Sequence, residues 1–168
     1  MRPTPIRLLF AAGLVFAAAF TRAHAPATDM LNAANSFLGA LSPDQKKQAT
    51  YLLTDPEREN WNFVPIARQG LSLKQMKPQQ RDLAIALLRS GLSQRGFARA
   101  EAIMSMELVL RELETAAAQP DKRGAVAVRR DPAGYFVTVF GAPATDKSWG
   151  WRFEGHHLAF NFTLVNGA

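Results

Sequence analysis

The sequence predicts an α+β protein, with an N-terminal helical section packed on a C-terminal antiparallel sheet. Three observations carry this. Apolar residues recur at helical spacing between Asp29 and Ala118, helix-start signals punctuate that region, and from Tyr135 the composition turns aromatic and β-branched. Helices first and strands afterwards define the α+β arrangement. The boundaries follow: 1–25 a leader, 26–118 the helical section, 119–168 the β section of the same domain.

The leader is the most legible segment. Arg2 and Arg7 form a positive start, Leu8 to Phe20 is an unbroken apolar run, and Ala23-His24-Ala25 offers small residues where a signal peptidase reads. Pro26 is awkward directly after a cut at Ala25, so a cut after Ala23 is the alternative. The run is shorter than the roughly 20 residues a membrane-spanning helix needs. The expectation is a bacterial secretory signal, a periplasmic or secreted product and no stable membrane span after cleavage.

Loss of the leader removes Arg2, Arg7 and Arg22 and no acidic residue, so the net charge falls from +6 to +3. The remaining bases are scattered, apart from pairs such as Lys46-Lys47 and Arg129-Arg130, with no concentrated stripe of the kind nucleic acid requires. No nucleic-acid partner is expected. There is no cysteine, which removes disulfides, thiolate ligands and a cysteine nucleophile. An exported domain without disulfides relies on its apolar core.

Taken in order, Asp29 is read as the cap of a helix carrying Leu31, Ala34, Phe37, Leu38 and Leu41. Ser42-Pro43-Asp44-Gln45 is a capping box with proline at the first helical position, opening a helix that runs to about Leu53. Asp55-Pro56-Glu57 starts a shorter helical turn. Trp61 to Met76, broken by Pro65 and Gly70, reads as an ordered irregular loop covering the core. Pro78 opens a helix with Leu83, Ala84, Leu87 and Leu88 on one face, ending near Gly91. Ser93 caps the longest helix, about 94–118. Phe97, Ala100, Met104 and Leu108 form one apolar stripe there, and Ile103, Met106, Leu110 and Leu113 a second on nearly the opposite side. Two stripes predict a central helix packed on both sides. Glu107 falls between them and requires a partner if buried, and Arg68 is the candidate.

Tyr135 to Phe140 is a strand and Gly141-Ala142-Pro143 a turn. Trp149 to Val165 is one long strand or a pair of short ones. A bulge at Gly155 flips the side-chain parity, which aligns Trp149, Trp151, Phe153, His156, Leu158, Phe160, Phe162 and Leu164 on one apolar face. The opposite face then holds Arg152, Glu154, His157, Asn161 and Thr163. This division places His156 in the core and His157 beside Glu154. Glu154 and His157 are the candidate catalytic acid/base pair, with Arg68, Arg152 and Asn161 as binding residues. His156 and His157 are the candidate metal ligands, fewer than a zinc site ordinarily has. No cofactor is specified. Asn161-Phe162-Thr163 matches a glycosylation acceptor, a coincidence if the host is bacterial.

Several stretches carry a family resemblance. Trp61-Asn62-Phe63-Val64-Pro65, Leu92 to Phe97, Ile103 to Glu107, Val139 to Pro143 and above all Trp149 to Leu158 resemble the exported proteins catalogued as domain of unknown function DUF 3500, over most of residues 30–168. The resemblance implies a shared fold and no substrate. Members of that family continue well past this length, and Asn166-Gly167 is a preferred hairpin centre. The ending therefore reads as an incomplete copy of a larger fold, a truncated member or half of a split gene product. Its last strand would be an unpaired edge. Three readings of function follow: a metal-assisted or acid/base hydrolase, a non-catalytic module pairing through its sheet edge, and a fragment completed by another chain. The partner would be a second copy or a complementing C-terminal chain.

Overall fold

The computed structural model describes residues 26–119, 122, 125 and 129–166. The leader and Gly167-Ala168 lie outside the described residues. Among those described are α1 (Pro26–Gly39), α2 (Pro43–Ala49), β1 (Thr50–Tyr51), β2 (Leu71–Ser72), α3 (Pro78–Ser90), α4 (Gln94–Ala117), β3 (Phe136–Phe140), β4 (Trp149–Gly155) and β5 (Leu158–Leu164). The fold is α+β, as predicted. None of the described helices is long and apolar enough to cross a membrane.

The start signals act largely as expected. Ser42 accepts from the Gln45 amide while the Gln45 side chain accepts from the Ser42 amide, which satisfies two end donors of α2. Asp55 caps a 3₁₀ turn at Pro56–Glu59, and Ser93 caps α4. Two boundaries differ. α1 begins at Pro26, so Asp29 lies inside its first turn, where a negative charge favours the positive helix end. α2 stops at Ala49, because Thr50 and Tyr51 leave the helix to pair with Val139 and Phe140.

The sheet runs β1-β3-β4-β5, with β2 also paired to β3. The helical and β sections therefore interleave, since β1 and β2 come from the former. β4 pairs antiparallel with β3 and with β5, and the β4–β5 ladder places Trp149 opposite Leu164, Trp151 opposite Phe162, Phe153 opposite Phe160 and Gly155 opposite Leu158. This register corrects the bulge expected at Gly155. The parity change is made by a two-residue hairpin turn, His156-His157, and the apolar face comes out with the same strand residues. His156 leaves that face for the turn.

α1 and α3 pack together and bury Ala34, Phe37, Leu38, Ala84, Leu87 and Leu88 in one cluster with Val137, Val139, Trp149, Trp151 and Phe153. Trp151 stacks on Phe162, ring centroids 4.5 Å apart, an arrangement that adds about 0.5–1.5 kcal/mol to simple burial. On the opposite face of β4 lie Arg152 and Glu154, covered by the 55–68 segment. Both faces of β4 are thus closed and all seven of its residues are buried.

The loop lies on this polar face rather than over the apolar core, and it leaves Trp61 58% exposed, with Phe63 and Ile66 similar. The two-sided packing expected of α4 also fails. Phe97, Ala100 and Glu107 are its buried residues, whereas Met106, Leu108, Val109 and Leu113 stay exposed, Leu113 at 63%. Of the second stripe, Ile103 packs against the core cluster and Leu110 is half-buried, while Met106 and Leu113 stay exposed.

Candidate functional site

Two clusters of paired charge flank the β4–β5 hairpin. The first is centred on Glu154. Arg152 donates through Nη1 to the Glu57 and Asn60 carbonyls (2.6 and 2.8 Å) and through Nη2 to Glu57 Oε1 (2.5 Å). Its Nε lies 2.8 Å from Glu154 Oε1, and Arg68 Nε lies 3.3 Å from Glu154 Oε2. Arg68 also donates to the Ile66, Asn62, Val64 and Gly155 carbonyls, tying the irregular loop to the end of β4. Burial pushes the Glu154 carboxyl above its ordinary range, against the pull of Arg152 and Arg68. The Arg152 and Glu154 side chains are 0% and 1% exposed. Arg68 is therefore the partner of Glu154, not of Glu107 as expected, because the loop runs beneath the sheet face that carries Glu154.

The second cluster joins α4 to the hairpin turn. Glu107 Oε1 contacts His156 Nδ1. As the carboxylate accepts, the ring donates from Nδ1, and the neutral form of His156 that makes this bond carries its lone pair on Nε2. Arg130 Nη1 lies 3.0 Å from Nδ1 and 3.2 Å from Nε2, so the guanidinium rests against the imidazole. Arg130 is held in turn by Glu114, through Nε at 3.0 Å and Nη2 at 2.5 Å. The Arg130 hydrogen bond keeps the Glu114 carboxyl below its ordinary range.

Local structure aims His156. The Tyr135 hydroxyl donates to the His156 carbonyl at 2.9 Å, and the His157 amide donates to the Phe63 carbonyl at 3.0 Å. The Tyr135 ring stacks on Phe153 and presses against Gly155, where any β-carbon would run into the ring. Burial, reinforced by the negative charge of Glu107, pushes the Tyr135 hydroxyl up to about 12. His157 takes φ 55°, the left-handed conformation that closes the turn, and its ring lies exposed against that of His156, centroids 4.0 Å apart.

This second cluster opens on a cavity of about 590 Å³, large enough for a small organic molecule. Glu107, His156, Tyr135, Lys74 and Asp131 line it together with an apolar wall from Ile66, Ala67 and Phe136. The His156 and Arg130 side chains are 11% and 12% exposed, and Glu107 Oε2 is buried without a hydrogen-bond partner among the described residues. Lys74 pairs with Asp131 at 3.1 Å.

The sequence-derived candidates are thus dispersed. Arg68, Arg152 and Glu154 are paired under the loop, where Arg68 and Glu154 line a small cavity of about 220 Å³; Arg68 also reaches the cavity at which His156 stands, and His157 and Asn161 are exposed. No hydrogen bond or ion pair joins Glu154 to His157 among the described residues. Nor do those residues hold a group of three or more His, Cys, Asp or Glu side chains placed for a metal. Reasoning from sequence missed Arg130 and Tyr135. It marked Glu107 as a carboxylate needing a partner, but that partner is 49 residues away.

Fold and site define an α+β protein with a histidine–carboxylate pair at the wall of a mostly apolar cavity. The model of the family described as protein of unknown function (DUF3500) matches residues 23–168, and the chain belongs to that family. No curated protein and no solved structure matches it.

Proposed function

We propose that the protein is an exported acid–base hydrolase acting on a small, largely apolar substrate, with Glu107 and His156 as its reacting pair. The carrying observation is the Glu107–His156 contact at the cavity wall. The carboxylate orients the ring and stabilises the imidazolium that forms when Nε2 accepts a proton from water. That water's oxygen bonds to the electrophilic centre, the bond from that centre to the leaving group breaks, and His156 returns the proton to the departing group. Arg68 and Arg129, at the cavity wall, supply positive charge where the anionic intermediate develops. This keeps the histidine–carboxylate chemistry expected from the sequence and moves it from Glu154 and His157 to Glu107 and His156.

The test is hydrolysis of a panel of chromogenic esters, amides and phosphoesters by the purified protein. His156→Gln should lower the rate on any accepted substrate by about 10²–10⁴-fold while leaving the fold intact. An unchanged rate in that variant, or no turnover anywhere in the panel, rejects the reading. Export rests on the leader's arginines, apolar run and small residues. Sequencing the amino terminus of protein recovered from the periplasm or medium should place the cut after Ala23 or Ala25.

A further inference from the structure

Glu107 reaches the wall of the large cavity with part of its hydrogen-bonding capacity unused. Its Oε1 meets His156 Nδ1, whereas Oε2 is buried and accepts no hydrogen bond among the described residues. Arg130 Nη1 stands 3.9 Å from that oxygen, beyond hydrogen-bonding range. The side chain is only 3% exposed, so bulk water does not supply the missing donor, and a buried carboxylate oxygen left without one is costly. Because Glu107 lines the cavity, a molecule lodged there is the available source.

The charges around the cavity define that molecule. Each cation among its described lining residues already faces a carboxylate, Arg68 with Glu154 at 3.3 Å, Lys74 with Asp131 at 3.1 Å and Arg129 with Glu114 at 3.0 Å. An ammonium group drawn to Oε2 would come up against Arg130, and an anion would meet Glu107 and Asp131. The rest of the wall is largely apolar, from Pro65, Ile66, Ala67 and Phe136. We infer that the cavity selects a neutral, largely apolar molecule whose hydroxyl or amide N–H donates to Glu107 Oε2. The inference rests on the acid–base reading of the same cavity and names its substrate class: amides that carry an N–H, or esters that carry a free hydroxyl, with phosphoesters excluded by their charge. A site built around such a donor rejects the analogue that lacks it, since the buried acceptor is then left unpaired.

Binding tests this without turnover. NMR titrations of the purified full chain would use N-methylbenzamide against N,N-dimethylbenzamide and benzyl alcohol against benzyl methyl ether, with benzylamine and benzoate as charged probes. The donor of at least one pair should bind about tenfold more tightly than its methylated partner, the charged probes should bind more weakly, and the pair that discriminates identifies hydroxyl or amide as the donor. In Glu107→Gln the carboxamide oxygen serves His156 and its NH2 replaces Oε2, so the preference for donors should vanish; the wild-type pairs decide the matter even if that variant does not fold. Equal affinities within both pairs, tighter binding of either charged probe, a preference that survives in Glu107→Gln, or no binding of any probe at about 10 mM overturns the inference. Selective binding without hydrolysis upholds it and rejects only the hydrolase reading, whereas hydrolysis without donor preference rejects it alone.

Discussion

The two charge clusters beside the hairpin use the same kinds of residue to opposite ends. Arg152, Glu154 and Arg68 form a buried strut beneath the 55–68 segment, in which every charge meets a partner and only a small cavity of about 220 Å³ adjoins Arg68 and Glu154. Glu107, His156 and Arg130 form a comparable knot, yet it stands at the wall of a cavity. The buried cluster pins a loop that has little other reason to stay folded, since its large apolar side chains face outward. The open cluster holds a histidine against a carboxylate where a small molecule can reach it. The larger adjoining cavity, about 590 Å³ against about 220 Å³, and the histidine at its wall separate the chemical cluster from the structural one.

The largest expected effect breaks the buried cluster. Glu154→Ala leaves Arg152 and Arg68 buried with reduced compensation and should cost about 3–5 kcal/mol, read from urea denaturation. A loss below about 1 kcal/mol would remove the strut interpretation. Gly155→Ala comes next. Its methyl must displace the Tyr135 ring, with a cost of about 1–3 kcal/mol, and the His156 resonances should shift by NMR while those of α1 do not. Glu107→Gln is the counterpart in the open cluster, with a stability cost of about 1 kcal/mol and loss of turnover. Equal stability losses in Glu107→Gln and Glu154→Ala would erase the contrast.

Smaller effects concern pH. Tyr135 holds its proton up to about 12 in the folded chain against an ordinary 10.0. Its contribution to stability is therefore complete below pH 10 and lost as pH rises towards 12. Tyr135→Phe should flatten that alkaline decline in the denaturation midpoint. The carboxylates of the two clusters should titrate on opposite sides of the ordinary glutamate value, Glu154 above it through burial and Glu114 below it through Arg130. Acidification accordingly favours the folded state at Glu154 and disfavours it at Glu114, which carboxyl NMR titration can check residue by residue.

Much of the fold was legible because its determinants are local. The capping box at Ser42 and Gln45, the proline at Pro78 and the Ser93 cap act within one turn of chain, and strand alternation sorted the apolar face of β4 and β5 correctly. The candidate site was legible only in part. Glu107 and His156 were each marked as unusual, one as a carboxylate between apolar stripes and the other as a histidine among aromatics. Their pairing joins a helix to a hairpin turn, and no periodicity connects the two. Arg130 and Tyr135 carried no local mark at all, since their roles exist only where α4 meets the hairpin.

By itself, then, the sequence determined the α+β class, the main helix starts, the apolar side of the terminal strands and the absence of thiol chemistry, since each rests on residue identity or short-range spacing. The tertiary structure decided which histidine faces the cavity, which arginine neutralises which glutamate and which residues of each α4 stripe are covered. Those outcomes depend on contacts between segments far apart in the chain, where burial and charge pairing are properties of the packed whole.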